Sequence, residues 1–357
     1  MEISGEQKRL EIVRQILAEQ PFLENSIPVQ LVVNAEDADD CAIYDLPGNL
    51  SLVVGTDFIR GTGFILFQEQ YLNYFDIGYY LVIANLSDIA AMGATPIGLT
   101  TVVRYNDTLD DDDFRQLLEG IKEAASSYNT PIIGGDIGGY VEVVLAATAF
   151  GITERGKYLQ RKGTLESDIL CITGQPGLPS TALVYFTRAK NDGFFLSEEE
   201  EHILLQSWKR PIARIEEGKA LTRLGVVHAC QDVSDGVKAT IDQFAKASNV
   251  SFVLYESLLP IHSITKKVAN FLQLDPVALA FSASVDFHLM FTIAQQDIAI
   301  VKQTLALLNC TLYQIGQAIS VTEPSYLVRN DERISAVPGT AWQQQPGNVT
   351  RTIIEGF

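Results

Sequence analysis

Several aspartates, among them Asp39, Asp40, Asp57, Asp88, Asp136 and Asp235, border or interrupt apolar runs, and chemistry is sought first at such carboxylates. Asp88 is the extreme case. The stretch from Gly78 to Gly98 is apolar at Leu81, Ile83, Ala84, Ile89, Ala90, Ala91 and Met92, and only Asn85, Ser87 and Asp88 interrupt its middle. An ionised carboxylate in that company is costly to bury unless a metal ion, a basic side chain or backbone donors meet it. Mg²⁺ takes oxygen ligands in octahedral geometry and is typically held by a few carboxylates together with substrate phosphates. Other apparatus is missing. His202, His228, His262 and His288 stand in no recognisable catalytic setting, and the chain has no GxxxxGK[ST], no GxGxxG opening a βαβ unit, no HExxH and no GxSxG. Carboxylates with Mg²⁺ are therefore expected over nucleophilic hydrolysis, although spacing alone does not assemble the six acids into one site.

The elements that must position these groups follow from periodicity. The middle of Gly78 to Gly98 reads as a buried helix, ended by Gly93 and kept from continuing by Pro96. NAEDADDCAIYDLPGNLSLVVGTD gives a short strand, a Pro47-Gly48-Asn49 turn and a second strand from Leu50 to Gly55. That hairpin brings Asp39, Asp40 and Asp57 within reach of one another. Taken singly, each acid is as well explained as a turn former or strand-end residue; several together, ending apolar strands, favour a site. PIIGGDIGGY is a short strand entering paired glycines around Asp136, which suits a close backbone approach to a ligand as well as a plain turn. VVHACQDVSDG ends a strand in Asp232, Ser234, Asp235 and Gly236 before a helix from Val237 to Ala247, and such loops gather catalytic groups in α/β proteins. The acidic run Asp110 to Asp113 serves the N-terminus of the helix Phe114 to Tyr128. Glu6 to Glu19 reads as a packing helix with Leu10, Val13 and Leu17 on one face.

With 357 residues the chain accommodates two domains. The charged interruption ITERGKYL, Ile152 to Leu159, places their boundary between residues 1–155 and 156–357. A formal charge of -18 argues against a nucleic-acid groove. No apolar run has the length of a signal peptide or a membrane span, so a cytoplasmic protein without a membrane partner is expected. Cys41, Cys171, Cys230 and Cys310 are scattered without CxxC spacing and read as buried, inert thiols.

NLSDIAAMGA, Asn85 to Ala94, resembles the signature of thiamine-monophosphate kinases. These belong to the superfamily that also holds aminoimidazole ribonucleotide synthetase, selenophosphate synthetase and the hydrogenase-maturation dehydratase. Further matches keep the family's order: Asp39-Asp40 for its G-D-D, Thr56-Asp57 for T-D, Gly134-Gly135-Asp136 for G-G-D, Arg161 to Asp168 for R-S-G-A-x-x-G-D, Thr173-Gly174 for T-G, and Asp232 to Gly236 for D-x-S-D-G. The resemblance implies a two-domain α/β (α+β) fold of the PurM-like kind, with the N-terminal sheet pairing across a homodimer and a C-terminal α/β sandwich. ATP would lie in a groove lined by both subunits.

By the same resemblance, Asp39, Asp40, Asp57, Asp88, Asp136 and Asp235 would ligate Mg²⁺, with Asp88, Asp136 and Asp235 at the reaction centre. Asp39, Thr56, Gly134, Gly135, Arg161 and Ser234 would meet the nucleotide. The implied reaction is transfer of the ATP γ-phosphoryl group to a small phosphorylated acceptor, thiamine phosphate. Two segments depart from the family pattern. Arg60-Gly61-Thr62-Gly63-Phe64 follows Thr56-Asp57 where the family continues toward a Glu and a His in a segment one residue longer. Ala283-Ser284-Val285-Asp286-Phe287-His288-Leu289 stands for G-G-E-D-Y-E-L, keeping Asp286 and Leu289 with Phe287 as a near match. These departures keep two alternatives open, a superfamily member that activates another acceptor with ATP and a nucleotide-binding protein with weakened catalysis. His288 reads as a structural or interface histidine.

Overall fold

Asn73 starts the helix on which the molecule is built. Its side chain accepts a hydrogen bond from the Asp76 main-chain N–H at 3.0 Å, while the Asp76 carboxylate accepts from the Asn73 N–H at 3.1 Å. Helix α1 then runs Tyr74–Ala91, beginning before the apolar stretch because this reciprocal cap, not hydrophobicity, sets its start. It ends at Gly93, whose φ of 66° suits glycine. The helix is apolar all round, and Leu81, Val82, Ile83, Leu86, Ile89 and Ala90 are fully or almost fully buried.

The computed structural model describes residues 29–340 together with Ile12 and Ile16, so most of the helix expected over Glu6 to Glu19 lies outside the described residues. Strands β1 (Gln30–Val33), β2 (Ala42–Asp45), β3 (Leu50–Ile59), β4 (Thr95–Tyr105), β5 (Ile132–Gly139) and β6 (Val144–Glu154) form one sheet of order β1-β2-β3-β6-β4-β5. The second sheet, of order β13-β12-β9-β11-β7-β10-β8, contains β7 (Ile169–Ile172), β8 (Val227–Asp232), β9 (Ser251–Tyr255), β10 (Leu289–Ile293), β11 (Tyr313–Ile319), β12 (Tyr326–Val328) and β13 (Ile334–Ala336). All its pairings are antiparallel except β9 with β12. The result is a mixed α/β fold whose two sheets are divided between Glu154 and Ile169.

Helix α1 packs on β3 and β6 of the first sheet and, on its other side, on β8 and the helix Ile215–Leu224 of the second half. Helix α2 (Asp111–Ser127) lies against α1 at backbone contact: a Cβ on Gly78 would sit 2.1 Å from the Leu117 carbonyl oxygen, and one on Gly120 would sit 2.0 Å from that of Phe75. Asp110 caps α2, accepting from the main-chain N–H groups of Asp112 and Asp113, as the acidic run suggests. One hydrophobic core runs from the first sheet through α1 into the second half, and a smaller one fills the other face of the second sheet. All four cysteines are buried and unpaired. Among the described residues no helix is long and apolar enough to cross a membrane.

Candidate active site

Three carboxylates brought from three elements converge where the two halves meet. Asp40 stands just before β2, Asp88 in the last turn of α1, and Asp232 at the end of β8; an oxygen of each lies within 4.8 Å of the others. Gly55 makes room for them, since a Cβ there would lie 2.8 Å from Cys41 Sγ and 3.4 Å from Asp88 Oδ2. Asp232 is held on both oxygens, by the Ser87 hydroxyl at 2.5 Å and the Ser234 hydroxyl at 3.0 Å. Arg161 fixes the other side. Its main-chain N–H reaches both Asp39 oxygens at 3.2 and 3.1 Å, and its guanidinium donates to the Ala38 carbonyl at 2.6 Å and to Asp40 Oδ1.

The electrostatics call for a cation. Burial raises the Asp88 carboxyl well above the usual range, and the charges of Asp232, Asp40 and Asp57 raise it further. Burial and then Asp40 push both Asp39 and Asp232 up to about 7. Asp40 is raised by burial against the pull of Arg161, and its Oδ2 is buried with no hydrogen-bond partner among the described residues. An all-oxygen donor set with an orphaned buried carboxylate oxygen fits a hard divalent cation such as Mg²⁺.

The sequence-derived site residues fall into two groups. Asp57 faces α1, its main-chain N–H donating to Asn85 Oδ1 at 3.0 Å, and it lines a cavity beside the cluster with Ser234 and Asp235. Asp39, Asp40, Asp88 and Arg161 belong to the cluster itself. Thr56, Gly134 and Asp136 do not reach it within one chain. Strand alternation turns Thr56 to the other face of the sheet, where its hydroxyl meets that of Thr148 at 2.9 Å. Asp136 pairs with Arg104 on edge strand β5, three strands from Asp57 and so about 14 Å away. Gly135 presses on β4, where a Cβ would lie 2.2 Å from the Thr101 carbonyl oxygen. Within one chain Asp136 therefore stands apart from Asp40, Asp88 and Asp232. Asp232, which is not among the six acids singled out above, completes the cluster, whereas Asp235 lines the cavity. The signal of Asp232 in the sequence is that the strand β8 ends on it.

The cavity, of about 250 Å³, changes character along its length. Asp57, Arg60, Ser234 and Asp235 line its polar end. Its wall is aromatic: Trp208 lies 4.5 Å from Phe64 and 5.8 Å from Tyr80 between ring centroids, and Tyr80 lies 5.5 Å from Phe287. The departing segment 283–289 thus contributes to the site through Val285 and Phe287. Its other residues are structural. Asp286 accepts from the Gly177 N–H at 2.9 Å, and the His288 ring fills the space a side chain at Gly174 would need. Burial lowers His288 to about 3, so the ring is neutral.

Residues 38–153 match the family model described as AIR synthase related protein, N-terminal domain, and residues 193–328 match AIR synthase related protein, C-terminal domain. The thiamine-monophosphate kinase of Methanocaldococcus jannaschii is 30% identical over 287 residues, covering 79% of this chain and 86% of that protein. The chain belongs to the thiamine-monophosphate kinase family. Within this family, the Rhodopirellula baltica enzyme is 32% identical over 274 residues, 74% of this chain and 78% of its own. Among solved structures, AaThiL complexed with AMPPCP and TMP superposes with a TM-score of 0.76 at 20% identity, covering 96% of this chain and 97% of that one, a likeness of fold.

Proposed function

We propose that this chain is an ATP-dependent kinase that phosphorylates thiamine monophosphate to thiamine diphosphate, with Mg²⁺ bound by Asp40, Asp88 and Asp232. The observation that carries the reading is the junction of that carboxylate cluster with an aromatic-walled cavity. Thiamine phosphate carries two planar heteroaromatic rings joined by a methylene bridge, one of them a thiazolium cation, and bears a phosphate monoester. Its ring cation suits the faces of Tyr80, Trp208 and Phe287, and its phosphate would point to the polar end beside the cluster. The AMPPCP and TMP of the solved neighbour are the nucleotide and acceptor that this arrangement anticipates.

A phosphate monoester is largely ionised near neutral pH, so the acceptor needs no strong general base. Magnesium supplies charge neutralisation for the crowded phosphate oxygens. The chain's residues supply alignment. Arg161 holds Asp39 and Asp40, the hydroxyls of Ser87 and Ser234 orient Asp232, and the aromatic wall fixes the acceptor's rings. Asp57, Asp235 and Ser234 border the path between cavity and cluster.

The proposed domain boundary is 155/156; in support, it falls in the stretch between the last strand of the first sheet and the first strand of the second. A homodimer joined through the exposed face of the first sheet completes the proposal. Register places Phe58, Ala146, Val102 and Asp136 in one row across that face, and Phe58 and Val102 are exposed. Such a dimer gives Gly134, Gly135 and Asp136 a role at a groove shared by both subunits, and Thr56 lies on the same face.

The test is formation of thiamine diphosphate by purified protein with ATP, with and without Mg²⁺ and thiamine monophosphate. Acceptor- and metal-dependent product is expected. Nucleotide binding without product would sink the proposal and turn attention to the altered segments 60–64 and 283–289 as marks of another acceptor.

A further inference from the structure

Arg60 is the cavity residue for which the reaction outlined above has no use. We propose that its guanidinium grips the phosphate of the acceptor and so selects a phosphorylated ligand over the bare alcohol; this rests on the kinase reading. Among the described residues that line the cavity, the charged ones are Asp57, Asp76 and Asp235 against Arg60. The charge of Asp76 is answered by Arg210 Nη1 at 2.8 Å and Lys209 Nζ at 3.6 Å. Asp57 and Asp235 share the polar end with Arg60. A phosphate monoester entering there carries between one and two negative charges and would meet two carboxylates. Cations held by Asp40, Asp88 and Asp232 would neutralise the transferring phosphoryl group; the acceptor's remaining oxygens would need a donor of their own. A guanidinium offers a planar pair of N–H groups that matches phosphate in a bidentate manner.

The position is suitable. Arg60 follows the last residue of β3 and precedes Gly61, whose φ of 54° turns the chain into a short helical turn ending at Gly63. Arg60, Asp57 and Asp235 line the same cavity as Tyr80, whose ring faces Trp208 and Phe287. A ligand whose ring lies in the aromatic wall therefore presents its other end to Arg60. The segment that departs from the family pattern thus contributes a cation, and the ligand class is an aromatic heterocycle bearing a phosphate monoester.

Calorimetric titration of the full chain with Mg²⁺ and AMPPCP, using thiamine monophosphate and then thiamine, tests this. Wild-type protein should bind the phosphorylated form more tightly. Arg60→Gln should weaken binding of thiamine monophosphate about 10- to 100-fold, the value of a hydrogen bond to a charged group, and leave thiamine unchanged. Arg60→Lys should recover part of the loss. Equal affinity of Arg60→Gln and wild type for thiamine monophosphate overturns the clamp alone. An equal loss for thiamine and its phosphate also overturns it, by making Arg60 a structural residue. Wild-type protein that binds neither compound overturns the kinase reading and the clamp together.

Discussion

The Ser87 hydroxyl, on a helix of the first sheet's domain, donates to Asp232 Oδ2 at the end of a strand of the second, across 145 residues of sequence. The bond leaves Asp232 turned toward Asp40 and Asp88 and ties the carboxylate cluster, the proposed metal site, to the contact between the halves. Groups that orient a ligand are worth about 10- to 100-fold in metal affinity. Ser87→Ala should lower Mn²⁺ affinity, titrated in the presence of AMPPCP, by that factor, and Ser87→Thr should restore it. Unchanged affinity would remove Asp232 from the ligand set.

Asp88→Asn separates metal binding from folding. The carboxyl of Asp88 is burdened by burial and by Asp232, Asp40 and Asp57, so an amide there relieves repulsion in the metal-free protein. The variant should lose metal-dependent nucleotide binding. Without metal its melting temperature should rise by about 1 to 2 °C, the shift expected for about 1 kcal/mol in a chain of this length. Mg²⁺ should stabilise the wild type in the same assay and leave the variant where it is. A variant that melts lower without metal would show that Asp88 is already well partnered.

Trp208 forms the centre of the aromatic wall, and its indole N–H is anchored to the Pro179 carbonyl at 2.9 Å. A desolvated cation over a ring is worth up to about 2 kcal/mol, so Trp208→Leu should raise KM for thiamine monophosphate by about 5- to 30-fold. KM for ATP should stay put. Trp208→Phe, which keeps a face but loses the anchor, should fall between. Parallel rises in both KM values would mean that the substitution disturbs the whole site.

The sequence was most legible where local chemistry decides. Asp88 declared its need for a partner because apolar residues surround it on both sides, and the hairpin of Asp39, Asp40 and Asp57 followed from a proline-glycine turn between apolar runs. What spacing could not reveal is the face on which a strand residue points and the distance between strands. Thr56 and Asp57 are adjacent in sequence yet occupy opposite faces, and Asp136 ends up three strands from Asp57 because β6 and β4 intervene. The sequence marks Asp232 as a strand end but not as a neighbour of Asp40 and Asp88, because β8 reaches them only where the second half packs on α1. The aromatic wall was likewise illegible, since Phe64, Tyr80, Trp208 and Phe287 come from four distant segments.

Val102 lies in the middle of the proposed dimer face, between Ala146 and Asp136 in register, and is exposed in the single chain. A lysine there would place two charges in an apolar contact of like with like across a twofold axis. Val102→Lys should shift the mass measured by sedimentation from dimer to monomer. It should also lower kinase activity steeply, because Asp136 would no longer reach the partner's groove. A fully active monomer would return Asp136 to its pairing with Arg104 and no more.

Asp286 gives a pH dependence whose sign is fixed by its surroundings. Burial pushes its carboxyl up to about 7, against the Gly177 N–H and the Ser284 hydroxyl, which favour the charged form. In the unfolded chain the group titrates near 3.8. Between these values the folded protein holds a proton that the unfolded chain has released, so stability is full below about pH 4 and falls as pH rises through about 7, by about 1.4 kcal/mol per pH unit at the steepest. Asp286→Asn cannot ionise and keeps an oxygen for Gly177. Urea unfolding of both proteins at about pH 5 and about pH 8 should find the variant gaining on the wild type as pH rises. A difference that stays constant with pH would mean that the folded carboxyl is already charged and that its buried oxygen is solvated.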